Sequence, residues 1–258
     1  MRSASVGQQC VDCVGQAAAS TRPARTVFGG RPAAGAVVTW TLVAINVAVF
    51  LVTWVRPGIV TDLEMLGYFP HVSGGPLGVA AGQWYRLITS AFVTPGTGLN
   101  GLAFLDILFN MWALIFVGPA LEGFLGRLRF LSVYLLSALG GGVMYYYLAS
   151  PAIAAAGASG AIYGLFGAWF VVARRLRVDT RGIVMLIAIN LALSFFWHNV
   201  IAWQDHIGGL LTGALLTAAY AYAPARHRAA LQMLATIAVV AVLALAVAIR
   251  TGQLTPGG

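Results

Sequence analysis

The sequence predicts an all-α polytopic membrane protein, and two observations carry that prediction. Apolar residues make up 60% of the 258 residues, only 9% are charged, and the mean hydropathy is +0.85; an ordinary soluble domain is about 25% charged. The apolar residues also gather in runs of about 15 to 20, the length a helix needs to cross the hydrocarbon core. A transmembrane barrel would instead show segments of about ten residues alternating apolar and polar positions, and the chain has no such alternation.

Residues 1–36 are rich in Ala, Gly, Ser, Pro and Arg and have no apolar core, so they read as a disordered cytoplasmic tail without a signal-peptide core. The first span runs from Val37 to Val55. The next apolar stretch waits until Leu102, past a semi-polar loop holding Asp62, Glu64, Gly74-Gly75-Pro76 and Arg86. Trp84, Tyr85 and Phe92 in that loop suit the membrane interface, where aromatic rings are favoured. Further spans read Leu102 to Leu121, Phe130 to Leu148, Ser159 to Ala173, Ile183 to Trp197, Ile201 to Ala221 and Leu231 to Ile249. The fourth and fifth are short for a full crossing, which points to irregular backbone before Ser159 reaching into a protein-lined cavity. The organisation expected is a tail over 1–36, six helices over 37–223, and a seventh helix with a short tail over 224–258.

The net charge of +8 would suggest nucleic acid in a soluble protein, but here placement decides, and no nucleic-acid partner is expected. All fifteen basic residues are Arg, so neither a Ser/Lys dyad nor a Schiff-base lysine can exist. Twelve of them precede span one or lie between spans two and three, four and five, or six and seven; only Arg56, Arg86 and Arg250 fall on the opposite side. Positive charge favours the cytoplasmic side. The partition therefore puts the N-terminus in the cytoplasm and the C-terminus outside the inner (plasma) membrane, with the long loop and Ser159 facing outward.

Polar residues inside spans are costly and are functional candidates by default. Asn46 and Asn190 are single amides, read here as interhelical hydrogen bonders. Asp106 and Asn110 lie four apart on one face of span two, and a carboxylate there calls for a role beyond packing. The stretch Gly157-Ala158-Ser159-Gly160-Ala161-Ile162-Tyr163-Gly164 sets a small hydroxyl at the first turn of a helix. Free N–H groups and the positive dipole end at a helix start can stabilise a developing anion, as acyl transfer requires. Gly-x-Ser-Gly also occurs as helix-packing filler, and Ala161 breaks the soluble-hydrolase elbow Gly-x-Ser-x-Gly.

Span six offers a partner in Trp203-Gln204-Asp205-His206-Ile207-Gly208-Gly209, followed by Gly213. Gly209 and Gly213 form one small face; Gly160, Gly164 and Ala168 form another on span four, so the two helices can approach closely. His206 shares the side of Gly209 and Gly213 and should point along that contact toward Ser159, giving a Ser–His dyad. A hydrogen-bonded core histidine is the plainer alternative. Metal ligation is not expected, since His71, His198 and His227 lie elsewhere and there is no His-Glu-x-x-His motif. An aspartyl mechanism needs two facing carboxylates, and Asp205 is read as capping or bordering span six.

These residues resemble the rhomboid family of intramembrane serine proteases. The resemblance rests on Gly-Ala-Ser-Gly-Ala with Tyr163, on His206 with Gly209 and Gly213, on Gln83-Trp84-Tyr85-Arg86, and on Gly118-Pro119-Ala120-Leu121-Glu122 with Gly126-Arg127. It implies a rhomboid-like six-transmembrane-helix bundle with an added seventh helix. It also implies Ser159 as nucleophile, His206 as general base and acid, Asn110 and the Ser159 N–H as oxyanion donors, and Tyr163 packed on the imidazole. Gly157, Gly160, Gly209 and Gly213 would be supporting residues. The expected activity is cleavage of membrane-anchored proteins in or near their transmembrane segment, with transmembrane protein substrates and the lipid bilayer as partners and no cofactor or metal. The rival is a non-catalytic rhomboid-like protein that binds client helices.

Two departures from the family stand out. Its His-x-x-x-Asn on span two is here Asp106-Ile107-Leu108-Phe109-Asn110, putting a carboxylate where an oxyanion donor is usual. Some bacterial rhomboids begin with a zinc module of two Cys-x-x-Cys pairs, and Cys10-Val11-Asp12-Cys13 looks like the end of one, begun too late or decayed. Two thiols fall short of the four ligands zinc needs.

Overall fold

The computed structural model describes residues 2–3, 7–20, 25–31, 35–70, 74–94 and 101–255; His71 and Arg22 lie outside these. The helices are α1 Val11–Ser20, α2 Val37–Val55, α3 Gly58–Leu63, α4 Arg86–Thr89, α5 Gly101–Leu125, α6 Arg127–Leu148, α7 Ser159–Leu176, α8 Arg181–Phe196, α9 Trp203–Tyr222 and α10 Arg228–Leu254. The β-structure is slight: Arg2–Ser3 pairs antiparallel with Gln8–Gln9, and Met65 bridges Ala155 while Phe69 bridges Leu77. The all-α polytopic architecture expected from the apolar runs is the one observed. By length and composition alone, four segments among the described residues are long and apolar enough to cross a membrane: α2, α5, α6 and the one containing α10. Helix α8 has 16 residues, while α7 and α9 carry glycines and polar side chains that lower their hydropathy and pack inside the bundle.

The centre of the bundle is α7, held between α6 and α9 by glycine. A Cβ on Gly209 would overlap the Gly160 carbonyl, and one on Gly213 would overlap that of Gly164. On the other side, Gly164 lies against Ser137 of α6, and Gly208 of α9 lies against the Gly140 carbonyl. Backbones this close gain packing that lipid cannot offer. Leu114, Phe130, Tyr134, Leu165 and Leu216 fill the remaining core.

Glu122 ties α5 to the start of α2. Fully buried, it accepts hydrogen bonds from the Val38 and Thr39 N–H groups at 3.0 and 2.9 Å and from the Thr39 hydroxyl at 2.9 Å. It thus satisfies orphan donors of a helix N-terminus from another helix. Gly118 makes room for Thr39 one turn earlier, so Gly118 and Glu122 of the motif act on the same threonine.

The α2–α5 loop is built around Arg86, only 2% exposed. Its guanidinium donates to the Thr61 and Glu64 carbonyls and to Gln83 Oε1, each at 2.8 Å. Trp84, 66% exposed, and Tyr85 project outward from this frame. Asn46 bonds Tyr134 across helices at 3.4 Å. Asn190 departs from the interhelical role expected of it: its amide donates to Leu186 O on its own helix, because its side chain faces outward.

The tail expected to be disordered contains structure: the small ladder, α1, and a turn over residues 25–31 that seats Phe28 in the core. Gly30 contacts the Leu125 carbonyl so closely that a Cβ would overlap it. The Phe28 carbonyl accepts from Gln232 Nε2 at 3.1 Å. A single buried phenylalanine and backbone bonds suffice to dock this segment, so no apolar run announces it.

Candidate active site

Ser159 opens α7, where first-turn N–H groups have no partner within the helix. Its Oγ lies 2.8 Å from His206 Nε2. The close approach of α7 and α9 at Gly160 and Gly209 brings them together, as no larger side chain at either position would permit. The Tyr163 ring, one turn along α7, stacks on the imidazole with centroids 4.1 Å apart and planes 11° from parallel.

Gly157 has φ +141°, a conformation L side chains rarely adopt. A Cβ there would lie 3.5 Å from Ser159 Oγ and 3.8 Å from both carboxylate oxygens of Asp106. Its N–H donates to Ser90 O at 2.9 Å, so the loop framed by Arg86 also steadies the approach to Ser159. Asp106 therefore borders the same space as the serine. Asn110 Nδ2 donates to Asp106 Oδ1 at 3.0 Å and to the Asp106 carbonyl at 2.9 Å. Asn110 Nδ2 thus meets Asp106 twice, once at the carboxylate and once at the main-chain carbonyl. Asp106 Oδ2 is buried without a hydrogen-bond partner among the described residues.

Asp205 borders span six as expected, in the first turn of α9, but does not cap it. Its carboxylate enters the space left by Gly141 and Gly160 and accepts from the Gly160 backbone N–H, so it caps α7, not its own helix. The reason is steric, since glycine on both facing helices leaves the room there. Sequence reasoning also missed Ser194 of α8, whose Oγ lies 2.8 Å from His206 Nδ1. The available signal was a lone serine in an apolar span, four residues after Asn190.

The other candidates stand apart. His198 is exposed and bonds its own turn, and His227 is exposed at the turn before α10. Cys10 and Cys13 are exposed free thiols; the Cys13 and then the Asp12 backbone N–H hold the Cys10 thiol below its usual range. Among the described residues, no three His, Cys, Asp or Glu side chains gather as a metal site would require. An apolar cavity of about 280 Å³ lies between Trp112, Phe116, Phe166, Trp169 and Leu186, and neither Ser159 nor His206 lines it.

Helix order, the glycine-packed α7–α9 pair and the serine–histidine contact agree with one family, and the comparison with known proteins decides it. The Rhomboid domain family matches residues 81–223. The chain belongs to the rhomboid family. The rhomboid-family protein YdcA of Bacillus subtilis (strain 168) is 38% identical over 151 residues, 57% of this chain and 72% of YdcA. Rhomboid protease GluP of the same organism is 34% identical over 186 residues, 70% of this chain but 34% of GluP. RHOMBOID-like protein 6, mitochondrial, of Arabidopsis thaliana is 32% identical over 149 residues, 54% of this chain and 44% of that protein. The matched family range includes Asp106, Asn110, Ser159 and His206. This is a multi-pass membrane protein of a protease family.

Proposed function

We propose that this rhomboid is an intramembrane serine endopeptidase acting through Ser159 and His206. The observation that carries the reading is the 2.8 Å contact between Ser159 Oγ and His206 Nε2, with the imidazole stacked on Tyr163. His206 Nε2 takes the Ser159 proton as Oγ attacks the scissile carbonyl, and the Ser159 N–H stabilises the resulting oxyanion. The imidazolium then protonates the leaving amine, and water activated by the same imidazole hydrolyses the acyl-enzyme. Asn110 joins the oxyanion site only after turning an N–H away from Asp106. No step calls for a cofactor or a metal.

The substrates are transmembrane proteins. A formed helix has its carbonyls bonded, so a substrate segment must unwind locally before Ser159 can reach its amide, and helix-breaking residues favour cleavage. The arginine partition supports a plasma (inner) membrane protein with a cytoplasmic N-terminus and an extracytoplasmic C-terminus, and an active site supplied with water from the outer side.

A second reading, a non-catalytic rhomboid that binds client helices, draws on one observation: the Asp106 carboxylate borders Ser159 and engages the Asn110 amide through Oδ1. Cleavage of a model transmembrane substrate by the purified chain in proteoliposomes distinguishes the two. The protease reading expects Ser159→Ala and His206→Ala each to abolish cleavage, and the double variant to be no worse than either, because the two side chains act as a unit. Cleavage of the same bond by Ser159→Ala protein would sink the serine mechanism; no cleavage by the parent, with client binding intact, would favour the second reading.

A further inference from the structure

The Nδ1 side of His206 is held by a residue that the dyad alone does not use. Ser194 Oγ lies 2.8 Å from Nδ1 and 2.7 Å from the carbonyl oxygen of Asn190, one turn back on α8. A hydroxyl has one proton, and a carbonyl oxygen only accepts. The Ser194 proton therefore goes to Asn190, and Ser194 meets the imidazole with a lone pair. The hydrogen between them belongs to Nδ1. Its other lone pair faces the Tyr163 hydroxyl at 3.3 Å, which completes the hydrogen bonding of a side chain only 2% exposed.

A neutral imidazole with a hydrogen on Nδ1 has a bare Nε2, and Nε2 is the atom facing Ser159 Oγ. We infer that Ser194 is a positioning residue: it fixes the tautomer in which His206 can accept the Ser159 proton, and it holds the ring as it becomes imidazolium. The inference rests on the proposed roles of Ser159 and His206. It adds a third member, neutral where a serine-protease triad places a carboxylate, so its contribution is smaller than a charged partner's.

Serine often bonds the carbonyl four residues back for purely local reasons. Two features here exceed that. Ser194 is the buried residue of α8 among those described, whose Phe195 and Phe196 lie exposed. The same oxygen that bonds Asn190 also meets Nδ1 and Tyr163, so one atom joins α8 to both rings of the site. The alignment of the dyad thus depends on where α8 sits.

The test compares the parent with Ser194→Ala and Ser194→Thr by two readouts. The first is nitrogen NMR of ring-labelled histidine in lipid bilayers, with His206→Ala protein identifying the His206 signals. The second is kcat and KM on one transmembrane substrate. At neutral pH the parent should show protonated Nδ1 and bare Nε2. Ser194→Ala should shift the ring toward the other tautomer and lower kcat by about ten- to a hundredfold, the range for losing a hydrogen bond to a group that becomes charged, with KM nearly unchanged. Ser194→Thr, which keeps the hydroxyl, should retain the tautomer and most of kcat. Unchanged tautomer and kcat in Ser194→Ala would overturn the inference, as would an equal loss in Ser194→Thr, which would make the role one of packing. A parent with the Nδ1–H ring that cleaves nothing would overturn the protease reading and leave the tautomer assignment standing on its spectrum.

Discussion

Asp106 sets the activity to be expected at the scale of single residues. An ionised carboxylate has no proton for an oxyanion and repels the charge developing on it, and here it also engages the amide of Asn110. Losing a central oxyanion donor costs about a hundred- to a thousandfold in rate, but the Ser159 N–H remains, so the smaller end of that range is expected. Asp106→His should raise turnover near neutral pH by about tenfold or more, because it removes the repulsion, supplies a donor and removes the side-chain bond that Oδ1 makes to Asn110. Asp106→Asn should raise it less, its amide having shorter reach. Turnover of one substrate by all three proteins across pH reads this directly, and an Asp106→His protein no faster than the parent at any pH would place Asp106 outside the oxyanion site. The approach of Ser159 to His206 was legible in the sequence because spacing puts both on definite helix faces, whereas the expected places of Tyr163 and Asp106 in the site came from the resemblance to the family. Ser194 and the true partner of Asp205 were not, because both depend on which helix lies opposite, and periodicity within one helix does not specify that.

Among elements, the α7–α9 contact governs whether serine and histidine meet. Gly209 lies against the Gly160 carbonyl, so Gly209→Ala must push the helices apart. Overpacking of this kind costs about 1–3 kcal/mol, and a displacement of about 1 Å at a reacting pair costs about a hundredfold in rate. Gly209→Ala should therefore lower the melting temperature modestly and turnover severely, with thermal unfolding in detergent and a cleavage assay as the two measurements. Full turnover in that variant would mean that the close approach serves stability alone. The small faces on the two helices were readable as a pattern, and so were α2, α5, α6 and α10, because each is a sustained apolar run. The docked turn over residues 25–31 was not readable: it is secured by Phe28 and by bonds to Gln232, a residue some two hundred positions away.

For the whole molecule, the arginine partition predicts a topology that a fusion reports. A periplasm-active reporter after Gly258 should be active and a cytoplasm-active one silent; the reverse would remove α10 as a crossing helix or invert the protein. Helix α10 itself is apolar and packs on the bundle through Val239, Leu243, Ala246 and Val247, with hydrogen bonds from Gln232, from Tyr147 to Ala246 O and between Tyr220 and Thr236. That pattern fits the added helix that the resemblance to the family implies. The central claim, that His206 makes Ser159 a nucleophile within the intact bundle, is tested most directly by a fluorophosphonate probe applied to the protein in membranes. The predicted result is a label on Ser159 in the parent, none in Ser159→Ala and a strongly reduced label in His206→Ala. A folded parent that takes no label, or a label that persists in Ser159→Ala, would contradict it.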